Sequence, residues 1–160
     1  MCGVPGSGKT TWVKQQIANS NVGGVHVSRD EIRFSMVKED EEYFSRENEV
    51  FNTFCSKIQE ALEDTNGPAN IYVDATHLNE KSRNKTLDRL DLRNANLYAL
   101  AFDIPLDICL KQNDFREGRA FVPKSVIRRM HCQYDMPSEN EKYKYTVLTV
   151  KPKEGEENNE

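Results

Sequence analysis

Three features of the sequence predict an α/β fold with a mostly parallel sheet sandwiched by helices. Short β-branched runs alternate with stretches of helical periodicity along the chain. A glycine-rich segment stands directly before the first helical stretch. The 160 residues, 37% hydrophobic and 30% charged, are enough for one domain with a real core and too few for two comfortable ones.

The elements follow in order. Thr10 to Asn19 reads as a helix. Val25, His26 and Val27 end a β-branched run before a polar cluster. Across Glu42 to Asp64, the residues Phe44, Val50, Phe51, Phe54, Ile58, Ala61 and Leu62 mostly fall three or four apart, as one face of a helix requires. Ile71, Tyr72 and Val73 form a second strand, and Asn79 to Arg93 a further helix with Asn79 as a candidate N-cap. Leu97 to Ile104 (LYALAFDI) and Thr146 to Val150 (TVLTV) supply two more strands. Leu106 to Phe115 is helical, and Pro123 suits the first turn of a helix running through Met130 to about Gln133. The expected organisation is one domain over residues 1–150, with a short helical lid at about 105–122, and an acidic tail over 151–160. The tail carries four glutamates and two asparagines and cannot bury enough surface to order itself.

No apolar run approaches the roughly 18 residues of a membrane span, and no basic-then-apolar leader opens the chain, so no membrane partner is expected. Cys2, Cys55, Cys109 and Cys132 are scattered without metal-ligand or redox spacing, which points to reduced thiols in a cytoplasmic protein. A net charge of −4 argues against the broad basic footprint of a non-specific duplex binder. It leaves room for a short basic channel.

Gly3-Val4-Pro5-Gly6-Ser7-Gly8-Lys9-Thr10 fits G-x-x-x-x-G-K-[ST] without a gap. This is the phosphate loop of the P-loop NTPase fold. Glycines let consecutive backbone N–H groups curl around a phosphate, and the helix that starts there favours an anion. Gly3, Pro5, Gly6, Ser7, Gly8, Lys9, Thr10 and Thr11 are therefore the candidate ATP site. Lys9 would reach the β- and γ-phosphates, and the Thr10 hydroxyl would hold Mg²⁺. Only Met1 and Cys2 precede Gly3, so the strand that should lead into the loop is largely missing. Either the chain is cut short there or that strand is vestigial.

The next strand is followed by Ser28-Arg29-Asp30-Glu31-Ile32-Arg33. Asp30 at a strand's carboxyl end faces the crevice where open α/β sheets bind ligands, and a carboxylate there can accept the proton of an attacking hydroxyl. Arg33, three residues on, shares a face with Asp30 if a helix opens at that point, and its fork suits an anionic part of the acceptor. The plainer alternative makes Asp30 an N-cap and Arg33 a surface ion-pair partner. Asp74 ends the strand of Tyr72 and Val73, where P-loop folds place a carboxylate that supports Mg²⁺; a turn aspartate is the alternative. Arg116-Glu117-Gly118-Arg119 suits a lid whose arginines neutralise charge on the transferred group, or else a helix end with basic residues and a terminating glycine. Arg128 and Arg129 read as ordinary surface charges.

Taken in order, GVPGSGKTTW, SRDEIR, DATHLN with Arg83 just after it, and REGRAFVPKSVI resemble the polynucleotide 5'-hydroxyl kinases, particularly the kinase domain of the bacteriophage polynucleotide kinases. The resemblance spans roughly Cys2 to Met136. It implies ATP and Mg²⁺ at Lys9 and Thr10, Asp30 as general base, Arg33 on the phosphate next to the reacting nucleotide, Arg116 in the lid, and Val126 lining the substrate entrance. It implies a 5'-hydroxyl end of DNA or RNA as partner. Neither the D-x-D-G-T of a 3'-phosphatase nor the K-x-D-G of a ligase occurs here, so separate phosphatase or ligase proteins would supply those steps. Gln112 stands where such kinases often carry another arginine, a role Arg119 could take. Two other readings stay open: a kinase of a small metabolite such as a sugar, nucleoside or nucleotide sugar, and a degenerate nucleotide-binding module.

Overall fold

The computed structural model describes residues 1–67 and 70–152. Most of the acidic stretch expected as a tail, residues 153–160, lies outside the described residues. The described residues form two compact units, one drawn from Thr10–Ala75 and Lys81–Asn96, the other from Met1–Lys9, Thr76–Glu80 and Leu97–Glu160.

In the unit that contains Thr10–Ala75, β1 (Val25–Ser28) pairs in parallel with β2 (Ile71–Asp74), in register from Val25 opposite Ile71 to Ser28 opposite Asp74. Side chains alternate across a strand, so the two faces separate cleanly. Val25, Val27, Ile71 and Val73 pack with α3 (Glu47–Glu63), whose Val50, Phe51, Phe54, Cys55 and Ile58 are buried at helical spacing. His26 and Tyr72 face the other way, and the Tyr72 ring meets Trp12 of α1 (Lys9–Asn19) edge-on at 6.2 Å. This pair of strands is thus covered on both faces, as expected of a doubly wound sheet.

Between β1 and α3 runs α2 (Arg29–Met36). Its N-cap is Ser28, whose hydroxyl accepts from the Glu31 N–H at 3.3 Å, and Asp30 and Glu31 lie in the first turn, where carboxylates favour the helix dipole. The alternative of Asp30 as the cap is thereby corrected. The helix expected over Glu42 to Asp64 begins only at Glu47. Residues 38–46 form turns instead, with Glu41 N–H bonded to the Lys38 carbonyl and Ser45 N–H to that of Glu42. The helix α4 (Glu80–Leu87) also stops short of Arg93.

In the other unit, β3 (Tyr98–Phe102) pairs in parallel with β4 (Thr146–Val150), from Tyr98 opposite Thr146 to Phe102 opposite Val150. On the other edge of β3, Cys2 makes a single parallel bridge with Ala101: its N–H donates to the Leu100 carbonyl and its carbonyl accepts from the Phe102 N–H, both at 2.8 Å. Cys2, just ahead of the loop, thus takes a strand position beside β3. It is anchored further by Tyr134, whose hydroxyl donates to the Cys2 carbonyl at 3.0 Å, and by His77, whose Nδ1 donates to that of Met1 at 3.0 Å. The helices α5 (Leu106–Asp114) and α6 (Lys124–Cys132) pack together, with Ile108, Cys109 and Ile127 buried. Pro123 sits just ahead of α6, one place from its expected position in the first turn. Every strand pairing among the described residues is parallel.

Candidate active site

The phosphate loop leaves the Cys2 bridge and enters α1. Gly6 and Gly8 both adopt φ +82°, which L side chains rarely do. Gly6 lies against α5: a Cβ there would come within 2.2 Å of the Cys109 carbonyl oxygen. A Cβ on Gly8 would meet only the Gln112 amide oxygen, at 3.7 Å. Gly6→Ala must therefore push backbone against backbone, and we expect it to cost about 2 kcal/mol or more of stability in urea unfolding. Gly8→Ala carries strain without the clash, so the Gly6 variant should unfold at the lower urea concentration.

The Lys9 ammonium, buried at the start of α1, donates to the Gly3 carbonyl at 2.8 Å, the Val4 carbonyl at 2.9 Å and the Ser7 hydroxyl at 3.4 Å. The loop thus binds its own cation through carbonyls. Burial pushes the nearby Cys109 thiol up to about 11, against a smaller downward pull from Lys9. That thiol is a packing group rather than a nucleophile.

The next residue along α1, Thr10, belongs to the other unit. Its hydroxyl donates to Asp74 Oδ2 at 2.9 Å. His26 Nε2 meets the same oxygen at 3.0 Å, and since an ionised carboxylate only accepts, the imidazole N–H donates. The hydroxyl–carboxylate pair expected from the sequence is therefore assembled, with the histidine as an unforeseen third member. Hard oxygen donors of this kind fit Mg²⁺, which is usually held by one or two protein oxygens together with substrate phosphates. Among the described residues no group of three or more His, Cys, Asp or Glu could hold a metal unaided.

Asp30 and Arg33 do share one face of α2: Arg33 Nη1 donates to Asp30 Oδ1 at 2.5 Å. The Arg33 side chain is only 6% exposed, against 64% for Asp30, so Arg33 is not the surface partner of the plainer alternative. Its Nη2 donates to Glu47 Oε2 at 2.9 Å, and its guanidinium lies over the Tyr43 ring at 4.8 Å and the Phe44 ring at 5.4 Å. Burial alone would lower its pKa, but the hydrogen bond and charge of Glu47, with Tyr43 and Asp30, raise it above the ordinary value. Burial and the Asp30 charge likewise raise the Tyr43 phenol. Glu47 also pairs with Arg29. Glu47 and Tyr43 carry no motif, and no signal in the sequence marks them.

Arg116 and Arg119, expected from the sequence in a lid, are half-buried in the unit that holds α5. Arg116 Nη1 donates to the Ala120 carbonyl at 3.4 Å, and Arg119 lies in a 3-10 turn, Gly118–Ala120. Gly118 opens that turn at φ +55°; the helix itself ends at Asp114. The fully buried Asn113 closes the segment, accepting from the Val122 N–H at 3.1 Å and donating to its carbonyl at 2.8 Å. Val126 is half-buried on α6, while Arg128 and Arg129 are exposed. No helix among the described residues is long and apolar enough to cross a membrane.

A family model described as an AAA domain, AAA_33, matches residues 1–137. The L-seryl-tRNA(Sec) kinase of Methanococcus maripaludis is 27% identical over 155 residues, covering 94% of this chain and 57% of that protein, so the chain spans little more than half of this relative's length. A sugar kinase from Janibacter sp. HTCC2649 is similar in structure with a TM-score of 0.57 at 17% identity, over 94% of this chain and 82% of that one. A gluconokinase from Sinorhizobium meliloti 1021 follows with a TM-score of 0.53 at 17% identity, over 93% and 79%. At such identity the two structures speak for the fold. Together with the loop and the parallel strands, these findings make the chain a member of the AAA_33 family with a P-loop kinase-like domain.

Proposed function

We propose that this chain is an ATP- and Mg²⁺-dependent kinase that phosphorylates a hydroxyl on a nucleic acid, the 5'-hydroxyl end of DNA or RNA. The observation that carries the reading is the pairing of an exposed Asp30 with a buried Arg33 on the opening turn of α2, directly after a sheet strand. That arrangement offers a proton acceptor and a fixed cation to a substrate bearing both a hydroxyl and a phosphate.

In this reaction Asp30 takes the proton of the acceptor hydroxyl. The oxygen forms its bond to the γ-phosphorus as the bond to the β,γ-bridging oxygen breaks, and ADP leaves. Lys9, Arg116 and Arg119 hold the negative oxygens. Thr10 and Asp74 would hold Mg²⁺, whose charge neutralises the phosphate oxygens.

Arg33 is already shared between Asp30 and Glu47, so an acceptor phosphate must join that network rather than find an idle cation. Arg33→Ala is expected to raise KM about tenfold or more for an acceptor with a 3'-phosphate, as loss of one charged hydrogen bond would, and to affect a free nucleoside far less. Equal losses with both acceptors would end the clamp role.

Transfer from γ-labelled ATP, offered in parallel to a 5'-hydroxyl oligonucleotide, serine-charged tRNA and sugars, tests the whole reading. Label on the oligonucleotide 5' end supports it. Label released from tRNA with the aminoacyl group favours a second reading, a hydroxyl carried on charged tRNA, suggested by the name of the 27% identical relative. Label on a sugar alone overturns the nucleic-acid acceptor.

A further inference from the structure

We propose that Phe44 is a stacking shelf for the terminal base of the acceptor, so that the acceptor side of this site takes a nucleotide. A single exposed phenylalanine needs no explanation on its own. Phe44 differs in being exposed and yet held. Its side chain is 61% exposed, but the Tyr43 ring meets it edge-on at 4.8 Å and the Arg33 guanidinium stands over it at 5.4 Å. Tyr43 is in turn set against Phe34 at 6.3 Å and against the same guanidinium at 4.8 Å.

The segment that carries the ring is tied at both ends. Glu41 Oε2 accepts from the Lys38 N–H at 2.9 Å, Arg46 Nη1 donates to the Met36 carbonyl at 2.9 Å, and the Glu47 N–H bonds to the Phe44 carbonyl itself at 3.2 Å. A pre-ordered aromatic ring with open surface is what base stacking needs, because little freedom is lost on binding.

The neighbours name the ligand. The guanidinium over Phe44 is the one bonded to Asp30, so a single side chain separates the shelf from the proposed proton acceptor. A molecule that lays a planar ring on Phe44, brings a phosphate to Arg33 and a hydroxyl to Asp30 has the three parts of a nucleotide. Stacking of this kind tolerates any base, since each has a π-face.

This inference rests on the kinase reading above, and the test separates the two. Wild type, Phe44→Ala and Phe44→Trp are compared on 5'-hydroxyl oligonucleotides whose terminal residue is either normal or abasic. Phe44→Ala should raise the oligonucleotide KM about ten- to a hundredfold, with much smaller changes in kcat and in the KM for ATP. Phe44→Trp should restore the KM, and the abasic acceptor should be used equally by wild type and Phe44→Ala. Transfer to the normal oligonucleotide that is indifferent to Phe44→Ala, or an equal loss on the abasic acceptor, overturns the shelf alone. A wild-type protein that labels no oligonucleotide overturns the acceptor reading and the shelf with it.

Discussion

Replacing Lys9 with alanine is expected to abolish nearly all phosphoryl transfer, lowering kcat/KM on the order of a thousandfold or more. The ammonium is buried, and its hydrogen bonds to the Gly3 and Val4 carbonyls place a full positive charge within the curl of the loop. In the proposed reaction that charge moves from the carbonyls to the phosphate oxygens, where a pre-set cation in a site shielded from water stabilises the transition state most. Alanine removes the charge and also leaves two loop carbonyls without their donor. A loss of activity alone would not separate these effects, so thermal unfolding and binding of a fluorescent ATP analogue accompany the assay. The expected pattern is a folded protein with weakened nucleotide binding and almost no transfer. Lys9→Arg should do little better, because a planar fork cannot replace a compact ammonium among those acceptors. Transfer within tenfold of wild type by a folded Lys9→Ala protein would remove Lys9 from the mechanism.

The parts that could be read from the sequence are those whose signal is local. The loop is a contiguous motif, and its glycines stand at positions whose backbone angles require them. β1, β2 and β4 coincide with β-branched runs, and the buried stripe of α3 has its helical spacing. The errors fall where tertiary contacts override a local pattern. Phe44 continues the apolar spacing of α3, yet its ring belongs to the Arg33 cluster, and turns hold residues 38–46 outside the helix. The helix expected to reach Arg93 ends at Leu87, and beyond it Asp91 pairs with Arg93 and donates its N–H to the Gln59 side-chain oxygen at 2.9 Å. The partners of the candidate site were invisible for the same reason. Glu47 lies 14 residues from Arg33, and His26 lies 48 residues from Asp74. Neither distance leaves a spacing signature, and only the packing of α2 on α3 and the register of β1 on β2 bring them together.

Asp30→Ala is expected to reduce turnover about a hundredfold or more while nucleotide binding stays near wild type, the usual span for loss of a general base. Asp30 is the exposed member of the pair, so its removal opens no cavity; the buried Arg33 retains Glu47 as its counter-charge. Stability should therefore change little, in contrast to Arg33 itself. Two explanations of a lost rate remain, and Asp30→Asn distinguishes them. Asparagine keeps an oxygen for the Arg33 hydrogen bond but cannot take a proton. If Asp30 accepts the hydroxyl proton, both variants fall together. If it only orients Arg33 and the acceptor, asparagine recovers most of the rate. The loose transition state of phosphoryl transfer makes the second outcome a serious competitor, since little proton transfer is needed before the phosphorus–oxygen bond forms. Single-turnover measurement at saturating ATP isolates this step from product release. Near-wild-type rates in both variants would show that the carboxylate beside Arg33 serves the helix rather than the reaction, and the proton acceptor would then have to be sought elsewhere along the chain.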